Sequence, residues 1–288
     1  MSHYLPPRRR TLTSPPSTKR ISRHVFAAAT LVLLLTATLL LIHKEPTARA
    51  ETSTQSQSVT GTKQIDQAAI DALINAHTTD QVGVAVRNIA TAKTDTYGVD
   101  APFVAASTTK VLSAVAYYHL VENGRLSLST QLGSFPAWFQ IKQMIVNSSN
   151  DSWHFVSNEI GNANLQAYAT EIGLDFTQGP NTMSPSSMSL LLAKLYSGKL
   201  LNKEHTKTLL SYMKKTNNET LIPAAVGKGI TTYHKYGDLE DELHDAAVLV
   251  HGTTAYAVVI YTKGTGSVAA RTTLIHNLTK AIIASYHI

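Results

Sequence analysis

The sequence contains no cysteine, and only 15% of its 288 residues are charged. Without thiols the chain can form no disulfide, thiolate metal site or cysteine nucleophile. It also lacks the HExxH, GxGxxG and GK[ST] patterns, which are typical of metal, dinucleotide and nucleotide sites. Twelve histidines are present, but none is paired as His-x-His. We therefore expect no metal ion and no other cofactor.

The positive charge is confined to one end of the chain. The formal net charge is +6, but residues 1–50 hold eight Lys/Arg against one Glu, whereas residues 51–288 hold 17 basic and 18 acidic residues. Most of the chain is therefore close to neutral, and the sequence predicts no nucleic-acid partner. Hydrophobic residues make up 43% of the chain, which is enough to bury a core.

An apolar run of 18 uncharged residues, Val25–Ile42, follows six positive charges in residues 1–24. Its length just spans a bilayer, and the flanking charges predict that residues 1–24 stay in the cytoplasm as a basic tail. The tripeptide Ala48-Arg49-Ala50 also fits a signal-peptide cleavage site. A single-pass membrane anchor is favoured, and secretion after cleavage stays open. Residues 43–62 are rich in Ser, Thr and Gln towards their end and predict a flexible stalk, which places the remaining chain outside the cytoplasm.

The apolar pattern predicts one α+β domain over residues 63–288. Helices are expected near residues 63–77 and 268–286, and helical segments dominate from Ser107 to Lys215. Strands are expected at Val82–Val86, Thr94–Val99, Ile230–Tyr236, Asp245–Val250 and Thr254–Thr262. This order predicts an antiparallel five-stranded sheet flanked by the terminal helices, plus an all-α lobe, with a cleft between the two.

An SxxK sequence, Ser107 to Lys110, begins a predicted helix and places the lysine one turn after the serine. The helix continues without charge until Glu122, which indicates a buried central helix. Burial disfavours the ammonium form, so Lys110 is a candidate base for the Ser107 hydroxyl. A second SxxK sequence, Ser211 to Lys214, lies on an amphipathic helix and is interpreted as solvated surface.

Two further polar segments stand out. Ser148 to Asn150 form a turn between helical stretches, and Lys235 to Gly237 end a predicted strand. Their ordinary interpretations are a helix N-cap and a solvated lysine. The functional interpretation is a hydroxyl and an amide that handle a proton and a substrate, beside an ammonium and a glycine that admits a close backbone approach. The acidic stretch Asp238–Glu242 is expected to be a solvated turn or a rim that attracts cationic peptides.

In this order, SxxK, SxN and KxG resemble the class A β-lactamases and penicillin-binding transpeptidases. The resemblance covers roughly Lys63 to Ile288 and includes GRLSL after the SxxK helix and AVVIYTKG near the end. It implies a serine hydrolase that forms an acyl-enzyme on a β-lactam or on a D-Ala-D-Ala-type amide of cell-wall peptides. The alternative is a binding or sensor module that keeps the pocket without turnover. We expect the protein to be a monomer.

The resemblance also implies a role for each catalytic position. Ser107 is the acyl-forming nucleophile and Lys110 its general base. Ser148 passes the proton to the leaving nitrogen, assisted by the charge of Lys235. The backbone N–H groups of Ser107 and Asp238 form the oxyanion hole.

The same resemblance assigns substrate binding to Asn150, Tyr236 and Gly237, where Asn150 holds the side-chain amide of the substrate. Two of the motifs depart from the family pattern. Tyr236 stands where Thr or Ser usually holds the β-lactam carboxylate, and Ser149 stands in place of the usual Asp.

A third departure concerns release of the acyl group. Class A enzymes carry an ExxLN loop whose glutamate activates the deacylating water, but the corresponding stretch here, Gly173–Pro185, is shorter and has no glutamate. Asp175 is the only acid in it. Acylation chemistry is therefore expected, with slow deacylation.

Overall fold

The computed structural model describes residues 66–288. The predicted basic tail (residues 1–24), membrane anchor (residues 25–42) and stalk (residues 43–62) lie outside these residues. In the described part, no helix is both long enough and apolar enough to cross a membrane.

Helices form most of the middle of the described chain. A short 3-10 helix, Ala106–Thr109, runs directly into α2. The α-helices are α1 (Gln67–Asn75), α2 (Lys110–Glu122), α3 (Ala137–Val146), α4 (Asn150–Ile160), α5 (Asn162–Glu171), α6 (Pro185–Tyr196), α7 (Lys203–Met213), α8 (Ile222–Ala225) and α9 (Val268–Tyr286).

Strands lie mainly at the two ends of the described chain. They are β1 (Asp80–Asn88), β2 (Thr94–Gly98), β3 (Phe103–Val104), β4 (Gln131–Leu132), β5 (Phe135–Pro136), β6 (Thr182–Met183), β7 (Thr231–Leu239), β8 (Glu242–His251) and β9 (Thr254–Gly264). Five of them form an antiparallel sheet in the order β2-β1-β9-β8-β7. The predicted α+β class with a five-stranded antiparallel sheet is thereby confirmed.

Both faces of this sheet are buried, and strand alternation explains how. On β9, Val258 and Ile260 pack in one core with residues of α1 and α9, whereas Val259 and Tyr261 pack in another with the helical lobe. Helix α2 lies at the centre of that lobe, and its residues from Lys110 to Tyr118 are all buried. The predicted buried central helix is therefore confirmed.

The sequence-based boundaries of the five sheet strands and of the first helix differ from those in the structure, and two of the differences have a clear physical reason. The first helix begins at Gln67, because Asp66 accepts a hydrogen bond from the Ala69 N–H and caps it. The acidic stretch is not a solvated turn throughout, because β7 extends to Leu239 and β8 begins at Glu242. Glu242 is only 2% exposed and accepts a 2.8 Å hydrogen bond from Lys263 Nζ across the sheet.

The two ends of the described chain are adjacent. Helices α1 and α9 contact each other, and the Ser285 hydroxyl donates to the Asp66 carbonyl at 3.2 Å. Nearby, the hydroxyls of Tyr97 and Tyr286 are 2.6 Å apart, which links α9 to β2. The first and last helices therefore close the same side of the sheet.

Candidate active site

The turn that carries Ser107 is held by buried hydroxyl groups beneath it. The Thr108 hydroxyl donates to the Ala105 carbonyl at 2.6 Å and accepts from the Tyr261 hydroxyl at 2.7 Å. Ala106, just before the serine, has a φ of +48°, a left-handed conformation that is costly for a residue with a Cβ atom. Sequence reasoning gave Thr108 no role, because its partner Tyr261 lies 153 residues away.

A loop residue that the sequence analysis missed holds the same turn from another side. The Asn181 side-chain amide donates to the Ala106 carbonyl at 3.0 Å, and its Oδ1 accepts from the Thr109 hydroxyl at 2.8 Å. The Asn181 backbone carbonyl accepts from the Ala105 N–H. Nothing in the local sequence GPNT indicates that its asparagine has hydrogen-bond partners more than 70 residues away.

Lys110 is completely buried at the start of α2, within reach of Ser107. Its Nζ atom is 3.0 Å from Ser107 Oγ and donates to the Ser148 carbonyl and to Asn150 Oδ1, both at 2.7 Å. Burial lowers the pKa of Lys110 to about 8. A neutral amine has two N–H bonds, and the two oxygens that can only accept use both of them. The lone pair is then left to accept a proton from a neighbouring hydroxyl.

A second buried lysine approaches from β7. Lys235 Nζ donates to Ser148 Oγ at 2.9 Å and to the Tyr236 carbonyl at 2.8 Å. Burial, and then the positive charge of Lys110, lower the pKa of Lys235 to about 7. Ser148 Oγ also lies 3.3 Å from Lys110 Nζ, so the Ser148 hydroxyl sits between two amines. The backbone of Ser148 is left-handed, with a φ of +53°.

Strand β7 passes directly against the Ser107 turn, and a side chain at Gly237 would be crowded there. A Cβ atom on Gly237 would lie 3.1 Å from both Ser107 N and Ala106 Cβ, closer than ordinary van der Waals contact. The next residue, Asp238, borders the same cavity as Ser107. The predicted positions Gly237 and Asp238 are therefore brought beside the serine.

Tyr236 is placed differently from the other predicted residues. Its hydroxyl donates to Asn217 Oδ1 at 3.1 Å, and its ring centroid lies 4.0 Å from Lys235 Nζ. Asn150 borders the cavity that contains Ser107, but Tyr236 is not among the residues that do. A substrate contact from Tyr236 stays a prediction.

An ionic network centred on the buried pair His234–Asp245 fixes β7 next to Lys235. His234 is 0% exposed, with Nδ1 3.0 Å from Asp245 Oδ1 and Nε2 3.1 Å from Glu219 Oε1. Burial disfavours the imidazolium, but the two carboxylates outweigh it and raise the pKa of His234. Asp245 also accepts from the Ile222 N–H at 3.0 Å, which connects the network to α8.

A cavity of about 660 Å³ opens in front of Ser107. One wall is a single face of α4, which contributes Asn150, His154, Ser157 and Asn158. Gln178 and Asn181 from the loop before α6, and Trp153, Asp151, Asn162, Asp238 and Leu239, complete the lining together with Ala106. Most of the lining residues are polar, and the side-chain amides outnumber the charged groups.

The loop Gly173–Pro185 brings no carboxylate to this cavity. Asp175 is the only acid in the loop, and its Oδ1 accepts from the Ser184 N–H at 3.1 Å. Ser184 is the N-cap of α6, so Asp175 supports a helix start. Among the described residues, no group of three or more His, Asp or Glu side chains is arranged to hold a metal ion.

The second SxxK sequence has no comparable partners. The Ser211 hydroxyl is exposed and donates to the Thr208 carbonyl of its own helix at 2.6 Å. Lys214 is exposed as well. The interpretation of this segment as solvated surface is confirmed.

Comparisons with known proteins bear on the family and the fold of the described chain. A family model described as the beta-lactamase enzyme family matches residues 67–286. A search of curated proteins yields no match. Among solved structures, PBP-A superposes with a TM-score of 0.70 at 25% sequence identity, covering 77% of this chain and 95% of its own. A PBP-A variant in an acyl-enzyme complex with penicillin G superposes with a TM-score of 0.69 at 24% sequence identity, covering 77% of this chain and 96% of its own. A β-lactamase from Xanthomonas campestris pv. campestris superposes with a TM-score of 0.71 at 18% sequence identity, covering 76% of this chain and 96% of its own. This chain belongs to the beta-lactamase enzyme family.

Proposed function

We propose that this protein is a serine hydrolase that forms an acyl-enzyme at Ser107 with a β-lactam or a D-Ala-D-Ala-type amide and releases the acyl group slowly. The observation that carries the proposal is the 3.0 Å separation between Ser107 Oγ and Lys110 Nζ. Because the pKa of Lys110 is lowered to about 8, about a tenth of this amine is neutral at pH 7, against a far smaller share for an ordinary lysine, and this neutral form can act as a base.

The proposed acylation step uses the two serines and the two lysines. Ser107 Oγ attacks the carbonyl carbon, and its proton passes to the neutral amine of Lys110. The backbone N–H groups of Ser107 and Asp238 stabilise the oxyanion. As the C–N bond breaks, the leaving nitrogen takes the proton of the Ser148 hydroxyl, which Lys110 replaces. Lys235 donates to Ser148 Oγ and stabilises the negative charge that develops there.

Slow release is supported by the chemistry of the loop Gly173–Pro185. The only acid of this loop, Asp175, is occupied by the Ser184 N–H and does not border the cavity. The same observation favours a second candidate function, in which the long-lived acyl-enzyme is itself the product and the domain acts as a sensor of acylating ligands. The two candidates differ in the lifetime of the adduct.

The test is intact-protein mass spectrometry after exposure to penicillins, cephalosporins and an activated ester. We expect a single adduct that is absent in Ser107→Ala and retained in Ser211→Ala, the matched change in the second SxxK sequence. An adduct that persists in Ser107→Ala, or no adduct in the wild type after prolonged exposure, contradicts the proposal. Decay of the adduct over time then separates slow turnover from a permanent sensor state.

The proposal includes a location. We propose that residues 25–42 anchor the protein in the membrane and that the catalytic domain lies outside the cytoplasm, where cell-wall peptides and β-lactams are met. The apolar run and the positive flank support it. Protease added to intact cells should remove a tag at the C-terminus. Protection of that tag in intact cells, with digestion after lysis, contradicts the proposed topology.

A further inference from the structure

A second cavity lies on the helical lobe, between α7, the end of α6 and β7. Its volume is about 620 Å³, and it shares no lining residue with the cavity in front of Ser107. Leu201 and Leu210 border it, and both pack with the core of the helical lobe. Pockets of this size with apolar and aromatic walls are typical of small-molecule sites.

Two tyrosine rings form an aromatic wall of this second cavity. Tyr196, the last residue of α6, and Tyr233 of β7 both border it, and their ring centroids are 6.1 Å apart with an angle of 46° between the ring planes. Both side chains are only partly buried, so ring surface is left open to a ligand. Because aromatic rings favour offset and edge contacts with one another, this wall suits a planar aromatic group.

The charged residues that border the second cavity are all positive. They are Lys203, Lys207 and Lys214, and all three are exposed. None of them takes part in an ion pair within residues 66–288, and no Asp or Glu of the described chain borders the cavity. Three ammonium groups without carboxylate partners favour an anionic ligand.

The spacing of the lysines on α7 does not stabilise the helix itself. Lys203 and Lys207 are four residues apart, and a like-charge pair at this spacing is destabilising. Side chains four residues apart lie on the same face of a helix, so both ammonium groups can reach one anion. Ser211, from the second SxxK sequence, lies four residues after Lys207 and also borders the cavity. This face of α7 is therefore better suited to a ligand than to the stability of the helix.

We infer that the second cavity binds a small aromatic carboxylate. The ring system of the ligand packs against Tyr196 and Tyr233, and its carboxylate pairs with Lys203 and Lys207. The cavity has the apolar wall and the cationic border that such a molecule needs, and the two lie side by side. The inference does not depend on the proposed function at Ser107.

Isothermal titration calorimetry on the full chain tests the inference, with naphthoate as the probe. Two matched compounds separate the contributions of ring and charge. Naphthylmethylammonium has the same rings with the opposite charge, and acetate has the carboxylate without the rings. We expect naphthoate to bind roughly tenfold more tightly than either compound, because it alone can use both the aromatic wall and the ammonium groups.

Three variants locate the binding site. Lys203→Ala/Lys207→Ala should weaken naphthoate binding roughly tenfold, because it removes the charge-assisted contacts. Ser211→Trp places a large side chain at an exposed position on the border of the cavity and should abolish naphthoate binding. The matched control, Lys199→Ala/Lys215→Ala, removes the same charge from two exposed lysines that do not border the cavity and should keep the wild-type affinity.

The outcomes separate the site from general attraction to a basic protein. Residues 1–65 are present in every variant, so binding to them is the same on both sides of each comparison. No naphthoate binding in the wild type, or equal affinity for naphthoate and naphthylmethylammonium, overturns the inference. Wild-type affinity in Ser211→Trp, or an equal loss of affinity in the two double-lysine variants, overturns the assignment to this cavity. Acylation of Ser107 by penicillin is measured separately, so failure of the inference is distinguishable from failure of the proposed function.

Discussion

The hydroxyl of Thr109 donates to the Asn181 side chain at 2.8 Å, and this hydrogen bond joins the turn of the nucleophile to a loop 72 positions further along the chain. The same amide group also supports the Ala106 carbonyl, where the backbone is left-handed. The position of Ser107 therefore depends on a residue outside the three sequence motifs. The loop Gly173–Pro185, which contains no glutamate, therefore helps to hold the turn that carries Ser107.

The first prediction concerns this loop residue. Asn181→Ala removes both side-chain hydrogen bonds to the turn, and we expect the acylation rate of Ser107 to fall about tenfold, since loss of a buried partner costs about 1–3 kcal/mol. Asn181→Gly is the companion variant, because glycine accepts the φ of +52° at this position without strain. If the hydrogen bonds are responsible, both variants slow acylation. Wild-type rates in both variants would remove Asn181 from the positioning of Ser107.

The second prediction is a pH profile. Because the pKa of Lys110 is lowered to about 8, the neutral base is scarce at pH 6 and predominant at pH 9, so the acylation rate should rise with pH. Lys235, with a pKa of about 7, loses its charge over the same range, but its neutral amine still has N–H groups to donate to Ser148 Oγ, so the rise should continue to about pH 9. Lys110→Arg should be nearly inert, since a guanidinium does not lose its proton. Lys214→Arg, in the second SxxK sequence, should react normally. Stopped-flow acylation across this pH range gives the profile, and a reactive Lys110→Arg variant would exclude Lys110 as the base.

The third prediction concerns release of the acyl group. A positioned general base is typically worth ~10²–10⁴-fold, and the loop supplies none to the cavity. A chromogenic cephalosporin should give a burst of about one equivalent followed by a slow phase. Asp175→Asn, which can still accept from the Ser184 N–H, should leave the slow phase unchanged. Sustained turnover of ~10 s⁻¹ without a burst, an ordinary enzyme rate, would show that another group activates water.

The fourth prediction concerns stability. His234 is buried between Asp245 and Glu219, so His234→Gln should lower the free energy of unfolding by about 3–5 kcal/mol, the usual cost of breaking a buried ion pair. His251→Gln, at an exposed position on β8, serves as the control and should have little effect. Denaturant unfolding of the three proteins makes the comparison.

The sign of the pH dependence provides a separate check on His234. Its pKa is raised in the folded state, so the imidazolium contributes its full stabilisation below the unfolded value near 6.5. That contribution falls as the pH rises through the folded-state pKa. The stability difference between wild type and His234→Gln should therefore shrink towards alkaline pH. A difference that grows with pH would contradict a charged His234.

Much of the fold could be predicted because local patterns and burial agree in this chain. The β-branched run of β9 and the uncharged face of α2 both indicated buried elements. The start of β8 could not be predicted, because Glu242 is buried beside His244 on its own strand and Lys263 on the neighbouring strand. In a sequence, an acidic residue usually indicates a position that is exposed to solvent.

The residues of the candidate site also fall into those that the sequence could predict and those that it could not. Ser107, Lys110 and Ser148 could be singled out because each belongs to a short motif, and the structure brings them together with Lys235. Asn181, Ser157 and Gln178 could not, because single polar residues in loops and on amphipathic helices are common. Their surroundings depend on which distant segments meet. Only the three-dimensional arrangement shows that all three border the cavity in front of Ser107.

The hydrogen bond between Ser285 and Asp66 makes the domain suited to circular permutation. Because the two ends of the described chain touch, a short linker can join them without crossing either face of the sheet. New ends can then be opened at the exposed Gly252 turn between β8 and β9. In such a rearranged chain β9 and α9 would be synthesised first, and the order in which the sheet assembles would become open to experiment.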